Sequence, residues 1–239
     1  MPIPAEDTAR QPKLGGFVPF SGCDYPGQLA CVVFTAGCPW RCRYCHNPHL
    51  QARQAQPGLP GWEQILAWLP LRQGLLDGMV FCGGEPLTEP LLPRMMAQVK
   101  ALGFKVALHT GGAYPARLRD CLPYLDWVGF DVKHQFGEYA QVTQVAGSGS
   151  AAHLSLQLLR ASGVPFECRT TYHPALHDER ALLALGERLA AAGVDDYALQ
   201  LFRAEGCNDA ALLAQAGQPP GEAVLRELGT RFARFTVRG

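Results

Sequence analysis

Within residues 34–48, FTAGCPWRCRYCHNP, three cysteines fall at Cys38, Cys42 and Cys45, a C-x3-C-x2-C spacing. Thiolates are soft ligands that suit zinc, copper and iron-sulfur clusters. Three of them in a loop bent by Gly37 and Pro39 can wrap one metal centre. A 4Fe-4S cube held by four protein thiolates carries electrons and has no open iron. Three ligands leave one iron free to take a reactant, as the unfilled position does in a catalytic zinc site. Two blander readings of the same residues stay open: a zinc ion with His46 as fourth ligand, and three unrelated structural cysteines.

Such a loop needs a scaffold. ACVVFTAG reads as a strand ending just before Cys38, and LGGFVPF as a strand before it. A turn at DYPG joins them, with Pro26 and Gly27 supplying its geometry. Helical and strand patterns then alternate. WEQILAWL, LLPRMMAQVKAL, ARLRDCL, HLSLQLLRAS, DERALLALGERLAAAG and GEAVLRELGTRFA carry apolar residues at helical spacing, while GMVFC, FKVALHT, DWVGFDV, FECRTT and YALQLF read as strands. Six strand-helix units favour an α/β fold with a parallel sheet and helices outside, and they suit an incomplete barrel better than the closed eightfold one. Asp178 is expected to cap the longest helix, with Gly193 at its end. AGSGSAA, residues 146–152, is expected to be flexible and AQAGQPPGE to be a loop.

With 239 residues and neither an internal repeat nor a long linker, one domain over 1–239 is expected. It divides into an extension and strand (1–29), a barrel core (30–202) and a C-terminal segment (203–239). Twenty-one basic residues balance 21 acidic ones, which points away from nucleic acid and membrane surfaces as partners. The N-terminal stretch lacks the order of a secretory signal and no apolar run approaches about 20 residues, so a cytoplasmic protein is expected. Nine cysteines, an odd number, argue against a disulfide framework. Cys23, Cys31, Cys82, Cys121, Cys168 and Cys207 are scattered and form no second cluster motif.

Catalytic residues of α/β barrels gather at the C-terminal ends of strands. The first barrel strand ends at the cysteine loop, the second at FCGGEP with Gly83, Gly84 and Glu85, the third at HTGG with His109 and Thr110. The fourth ends at DVK with Asp131 and Lys133, and Arg169 in CRTT and Gln200 in LQLF belong to the fifth and sixth. Each has a structural alternative. The glycines could serve a turn or let backbone approach a ligand, and Glu85 can offer a carboxylate to an ammonium. Asp131 and Lys133, two apart on a strand and so on one face, could be an ion pair. Arg169 could bind a carboxylate, meet a partner's chain or form a rim salt bridge. His109 on an apolar strand is ordinarily a core histidine. His173, His177 and Asp178 could suggest a metal, but a helix start explains the aspartate.

The cysteine motif, with Tyr44 before its last cysteine and a strand before its loop, resembles that of the radical S-adenosylmethionine (SAM) enzymes. FCGGEP resembles the segment that binds the amino group of the methionine moiety in that family. The resemblance implies a partial (β/α)6 barrel and one 4Fe-4S cluster, with Cys38, Cys42 and Cys45 as its ligands and catalytic centre. It implies SAM contacts from Tyr44, Gly83, Gly84, Glu85, Thr110, Asp131, Lys133, Arg169 and Gln200. It also implies reductive cleavage of the sulfonium to methionine and a 5'-deoxyadenosyl radical, so the surrounding residues must exclude solvent and position the target hydrogen.

CHNP after the last cysteine and DYPG upstream narrow the resemblance to the glycyl-radical activating enzymes, nearest to activators of anaerobic ribonucleoside-triphosphate reductase, whose target is a backbone glycine. A partial barrel with a lateral opening suits a protein loop as substrate. Cys23 departs from the pattern, where a bulky aliphatic residue is usual. The lack of cysteines between Cys45 and Trp62 implies that the inserted ferredoxin-like clusters of some relatives are missing. The implied partners are a glycyl radical enzyme and a reduced flavodoxin or ferredoxin-like donor. Three alternatives remain: an activator of pyruvate formate-lyase or another glycyl radical enzyme, a small-molecule radical enzyme such as a 7-carboxy-7-deazaguanine synthase, and a non-catalytic metal-cluster binding module.

Overall fold

The computed structural model describes residues 11–215 and 217–239. Among the described residues eight strands follow chain order in the sheet. Backbone contacts divide the chain into two compact units, one of residues 11–39, 49–110 and 116–128, the other of residues 40–48, 111–115 and the described part of 129–239.

In the first unit β1 (Leu14–Ser21) and β2 (Ala30–Thr35) pair antiparallel around the expected turn, where Gly27 takes a left-handed conformation (φ 69°). β2 then runs parallel to β3 (Gly78–Gly83), in register from Ala30↔Gly78 to Thr35↔Gly83, and β3 runs parallel to β4 (Lys105–Thr110). The first four residues of both β2 and β3 are buried, as the near-continuous apolar runs of a covered parallel sheet require. Around these strands lie α1 (Trp62–Trp68), α2 (Leu92–Ala101) and α3 (Pro115–Cys121). α2 buries Leu92, Met95, Met96 and Val99, the stripe that its 3.6-residue period predicts. Because β2 and β3 end flush, the cysteine loop and the GGEP loop leave from one edge of the sheet.

β5 (Trp127–Asp131) starts in the first unit and ends in the second. The second unit continues with α4 (Ala140–Thr143), α5 (Ser148–Ser162), β6 (Phe166–Tyr172), α6 (Glu179–Ala191), β7 (Asp196–Leu201), α7 (Ala210–Leu213), α8 (Glu222–Gly229) and β8 (Arg234–Arg238). β6, β7 and β8 are parallel neighbours. α6 and α8 close over them with Leu182, Val224 and Leu228 against Tyr172 and Leu199. Asp178 caps α6, accepting a hydrogen bond from the Ala181 N–H at 2.6 Å, and Gly193 beyond its end is left-handed. Among the described residues no helix is long and apolar enough to cross a membrane.

The structure corrects four local expectations. AGSGSAA leads into and opens α5 and is not a flexible stretch: Gly147 is the N-cap, residues 148–152 are helical, Ser148 and Gly149 are buried, and a Cβ on Gly149 would overlap the Phe136 carbonyl. Its small residues serve close approach. The helix expected through residue 233 stops at Gly229, and residues 234–238 form β8, whose exposed face gave no apolar signal. β5 stops at Asp131, so Lys133 lies past the strand and does not share its face by period. Arg169 stands mid-strand in β6, not at its rim.

Candidate cluster and cofactor site

In the first unit, Gly37 (φ 110°) turns the chain after β2. Its N–H donates to the Leu50 carbonyl at 2.7 Å, and the Cys38 N–H donates to the Gln51 carbonyl at 3.1 Å. From the neighbouring loop the Gly84 N–H donates to the Thr35 carbonyl at 3.1 Å and the Glu85 N–H to the Gly37 carbonyl at 2.9 Å. The two loops therefore share one backbone network, and the glycines answer to it. A Cβ on Gly84 would stand 2.6 Å from Gly37 O and 2.7 Å from Leu50 O, while Gly83 is held at φ 131° with Thr35 N 2.5 Å from the same imagined atom.

Glu85 is 2% exposed. An ionised carboxylate so deeply placed needs donors. Two are the Thr110 hydroxyl at 2.6 Å and the Leu87 N–H at 3.1 Å, so Thr110 orients Glu85. Glu89, fully buried, accepts from the Lys13 N–H, the Leu91 N–H and the Arg53 guanidinium, each at 3.1 Å. It ties the segment after the cysteine loop to the GGEP loop. His109 turns elsewhere: its Nε2 pairs with the Asp24 carbonyl at 2.7 Å and its ring meets Trp127 edge-on.

In the second unit the cysteine loop continues from Trp40, whose ring packs on Tyr139 and covers Gly111, where a Cβ would overlap it. Arg41 and Arg43 donate their N–H groups to the Thr143 and Val142 carbonyls at 2.9 and 3.0 Å. The Cys45 N–H donates to the Cys42 carbonyl at 3.0 Å, so the two cysteines close one tight turn. Tyr44 is buried among Val142, Leu176 and Leu212. Its hydroxyl meets no hydrogen-bond partner among the described residues, and burial raises its pKa well above the ordinary value.

The Lys133 ammonium lies 5.9 Å over the Tyr44 ring and 2.9 Å from one Asp131 oxygen. Arg169 grips the other oxygen, Nη2 at 2.8 Å and Nε at 2.9 Å, and also donates to the Gly129 carbonyl at 3.2 Å. One carboxylate thus fixes two cations. Burial works against the charge on Lys133, but Asp131, then Tyr44 and Cys42, outweigh it and hold its pKa well above the ordinary value. Burial pushes the Cys42 thiol up to about 11, with Lys133 pulling the other way. A soft metal takes such a sulfur as thiolate, so the Cys42 thiol beside Lys133 suits an iron-sulfur cluster. Gln200 is half-buried in β7, opposite Thr171 on β6 and Arg238 on β8.

The structure thus gathers Gly83, Gly84, Glu85 and Thr110 in one unit, and Cys42, Tyr44, Asp131, Lys133 and Arg169 in the other. Among the described residues no three His, Cys, Asp or Glu side chains are placed to hold a single metal ion. Sequence reading missed the anchors Arg53, Glu89, Arg43 and Asp209, because their pairs are 36 and 166 residues apart in the chain. Only Asp209 left a local trace, as a capping residue before the apolar run ALL.

The family model described as the radical SAM superfamily matches residues 32–185. This chain belongs to the radical SAM superfamily. It is an enzyme of the radical SAM kind, and its cofactors are those of the superfamily, a 4Fe-4S cluster and SAM. Comparison with QueE from Escherichia coli (TM-score 0.54, 21% identity, 95% of this chain and 92% of that one) supports a partial barrel of the radical SAM type. A putative glycyl-radical enzyme activating enzyme of Methanocaldococcus jannaschii is 28% identical over 223 residues, 90% of each chain. The pyruvate formate-lyase-activating enzyme of Clostridium pasteurianum is 33% identical over 115 residues, and the match spans 46% of this chain and 48% of that protein. The radical SAM chain therefore spans about half the length of that second relative.

Proposed function

We propose that this radical SAM enzyme activates a glycyl radical enzyme by taking a hydrogen atom from one of its backbone glycines. The observation that carries the class is the 28% identity along 90% of both chains with a protein named for that activity. The narrower target, anaerobic ribonucleoside-triphosphate reductase, rests on CHNP and DYPG beside the cysteine loop. We place the reaction in the cytoplasm, with a reduced flavodoxin or ferredoxin-like protein as electron donor. We read residues 1–239 as one radical SAM domain, because the family match at 32–185 runs through both units.

When bound, a reduced cluster and SAM together supply a carbon-centred radical that takes a hydrogen atom. Cys38, Cys42 and Cys45 would hold the cluster, and no fourth cysteine of the loop competes for the open iron. Gly83 and Gly84 would bring backbone close to the methionine moiety. Glu85, oriented by Thr110, would present its carboxylate to the ammonium group. Asp131, Lys133, Arg169, Tyr44 and Gln200 would line the remaining cofactor surface, with Asp131 fixing both cations in place. These residues bind, orient and exclude water, and no acid-base step is asked of them.

A second reading has its own support: 33% identity over 115 residues favours pyruvate formate-lyase as the activated enzyme. To separate the two, the anaerobically reconstituted and reduced protein is mixed with SAM and either the large reductase subunit or pyruvate formate-lyase. Electron paramagnetic resonance then reads the glycyl radical. A signal with the reductase is expected. A signal with the lyase alone would move the target, and SAM cleavage with neither signal would sink the activase reading in favour of a small-molecule enzyme such as a 7-carboxy-7-deazaguanine synthase.

A further inference from the structure

Arg43 stands between Cys42 and Cys45, and its N–H, carbonyl and guanidinium are all engaged by segments far along the chain. The N–H donates to the Val142 carbonyl at 3.0 Å, and the carbonyl accepts from the Cys207 thiol at 3.4 Å. Its Nε donates to one oxygen of Asp209 at 2.7 Å and its Nη2 to the other at 3.4 Å. The carboxylate is itself immobilised, since it accepts from the Ala211 and Leu212 N–H groups at 3.0 and 3.1 Å and so caps α7. α7 is in turn pinned by Leu212, buried against Tyr44, the residue between Arg43 and Cys45.

The rest of the segment after β7 follows the same loop. Gly206 (φ 79°) passes so near the His46 carbonyl that a Cβ would overlap it. His46 pairs through Nε2 with the Arg203 carbonyl at 3.0 Å and stacks its ring on Phe202. An ion pair with side chains 28% and 17% exposed adds little stability by itself. What it adds here is geometric: a fork of two bonds that Arg43 donates to a fixed carboxylate defines its position, which a point charge such as lysine could not do.

We propose that Arg43 and Asp209 are positioning residues that hold the Cys42–Cys45 turn in the shape a cluster enters, making segment 203–209 part of the support of the cysteine loop. The inference rests on reading Cys42 and Cys45 as cluster ligands, and its main test needs no cluster. In the metal-free protein, alkylation of each cysteine by iodoacetamide is followed by peptide mass spectrometry for the wild type, Asp209→Asn and Arg43→Lys. Asparagine keeps the cap of α7, so the fold has what it needs locally.

Loss of the fork should raise labelling of Cys42 and Cys45 about two- to fivefold, the range open to a partly exposed ion pair, while the buried Cys121 and Cys168 stay unreactive. Unchanged labelling at Cys42 and Cys45 in both variants would overturn the proposal. So would a rise shared by Cys121 and Cys168, which would make the pair a support of the whole fold and not of the turn. After reconstitution, Asp209→Asn should lose iron to a chelator faster and show an altered resonance spectrum of the reduced cluster. Wild-type iron retention and spectrum would also overturn it. Should the labelling result hold while even the wild type binds no cluster, the ligand reading fails and the support of the turn stands.

Discussion

Gly84→Ala separates two reasons for a glycine in the GGEP loop. Its Cβ would lie 2.6 Å from Gly37 O and 2.7 Å from Leu50 O, closer than real Cβ atoms come to backbone, so one of the two loops must shift. Neither carbonyl is free to yield: Gly37 O accepts from Glu85 N–H and Leu50 O accepts from Gly37 N–H. Overpacking of this kind costs about 1–3 kcal/mol. For a chain of this size, each kcal/mol shifts the melting temperature by about 2–4 °C, so a fall of about 2–12 °C is expected. Circular dichroism of the metal-free protein reads the shift without any cofactor. Gly22→Ala is the control, because its nearest neighbour would be Leu29 Cδ2 at 3.9 Å, and it should stay within about 0.5 kcal/mol of wild type. If Gly84→Ala melts with the wild type and loses only SAM binding, the glycine serves the ligand alone and the packing argument fails.

Four substitutions elsewhere in the chain have outcomes as definite. Glu89→Ala leaves the Lys13 and Leu91 N–H groups without their acceptor and should cost about 2 kcal/mol or more, read from denaturant midpoints; a loss below about 0.5 kcal/mol would refute the anchoring role. Burial pushes His177 from 6.5 down to about 4, so between those values the unfolded chain binds the extra proton. Stability from this group is full above pH 6.5 and falls as pH drops, by about 1.4 kcal/mol per unit and about 3 kcal/mol in all. His177→Gln should flatten that slope in urea titrations at pH 7, 6 and 5, and an unchanged slope would count against it. Asp178→Ala should cost about 1 kcal/mol through loss of the α6 cap, measured by thermal melting, with no change as the contrary result. Cys42→Ala should prevent iron incorporation on reconstitution, and a variant with full iron content would refute the ligand assignment.

How much of this was legible in the sequence depends on the range of the interaction. β2 and α2 were readable because burial repeats at the period of the element itself, and the cysteine motif because its ligands lie close along the chain. The start of α5 was not, since small residues that permit the Phe136 carbonyl to approach look the same as residues that permit motion. β8 was lost for want of an apolar face. At the site, an Asp131–Lys133 pair was foreseen, though from a strand period that does not apply to Lys133, and the sharing of that carboxylate with Arg169 was not. The partners of Arg43 and Arg53 left no pattern, because chain folding alone brings Asp209 and Glu89 to them.

Three cysteine ligands that leave one iron open require that this chain cleave SAM reductively. Anaerobic reconstitution with iron and sulfide, reduction, and addition of SAM, followed by chromatographic measurement of 5'-deoxyadenosine, tests it most directly. 5'-Deoxyadenosine is expected with the wild type and not with Cys38→Ala, Cys42→Ala or Cys45→Ala. Its failure to form with a fully loaded, reduced wild-type protein would rule out reductive cleavage at these cysteines.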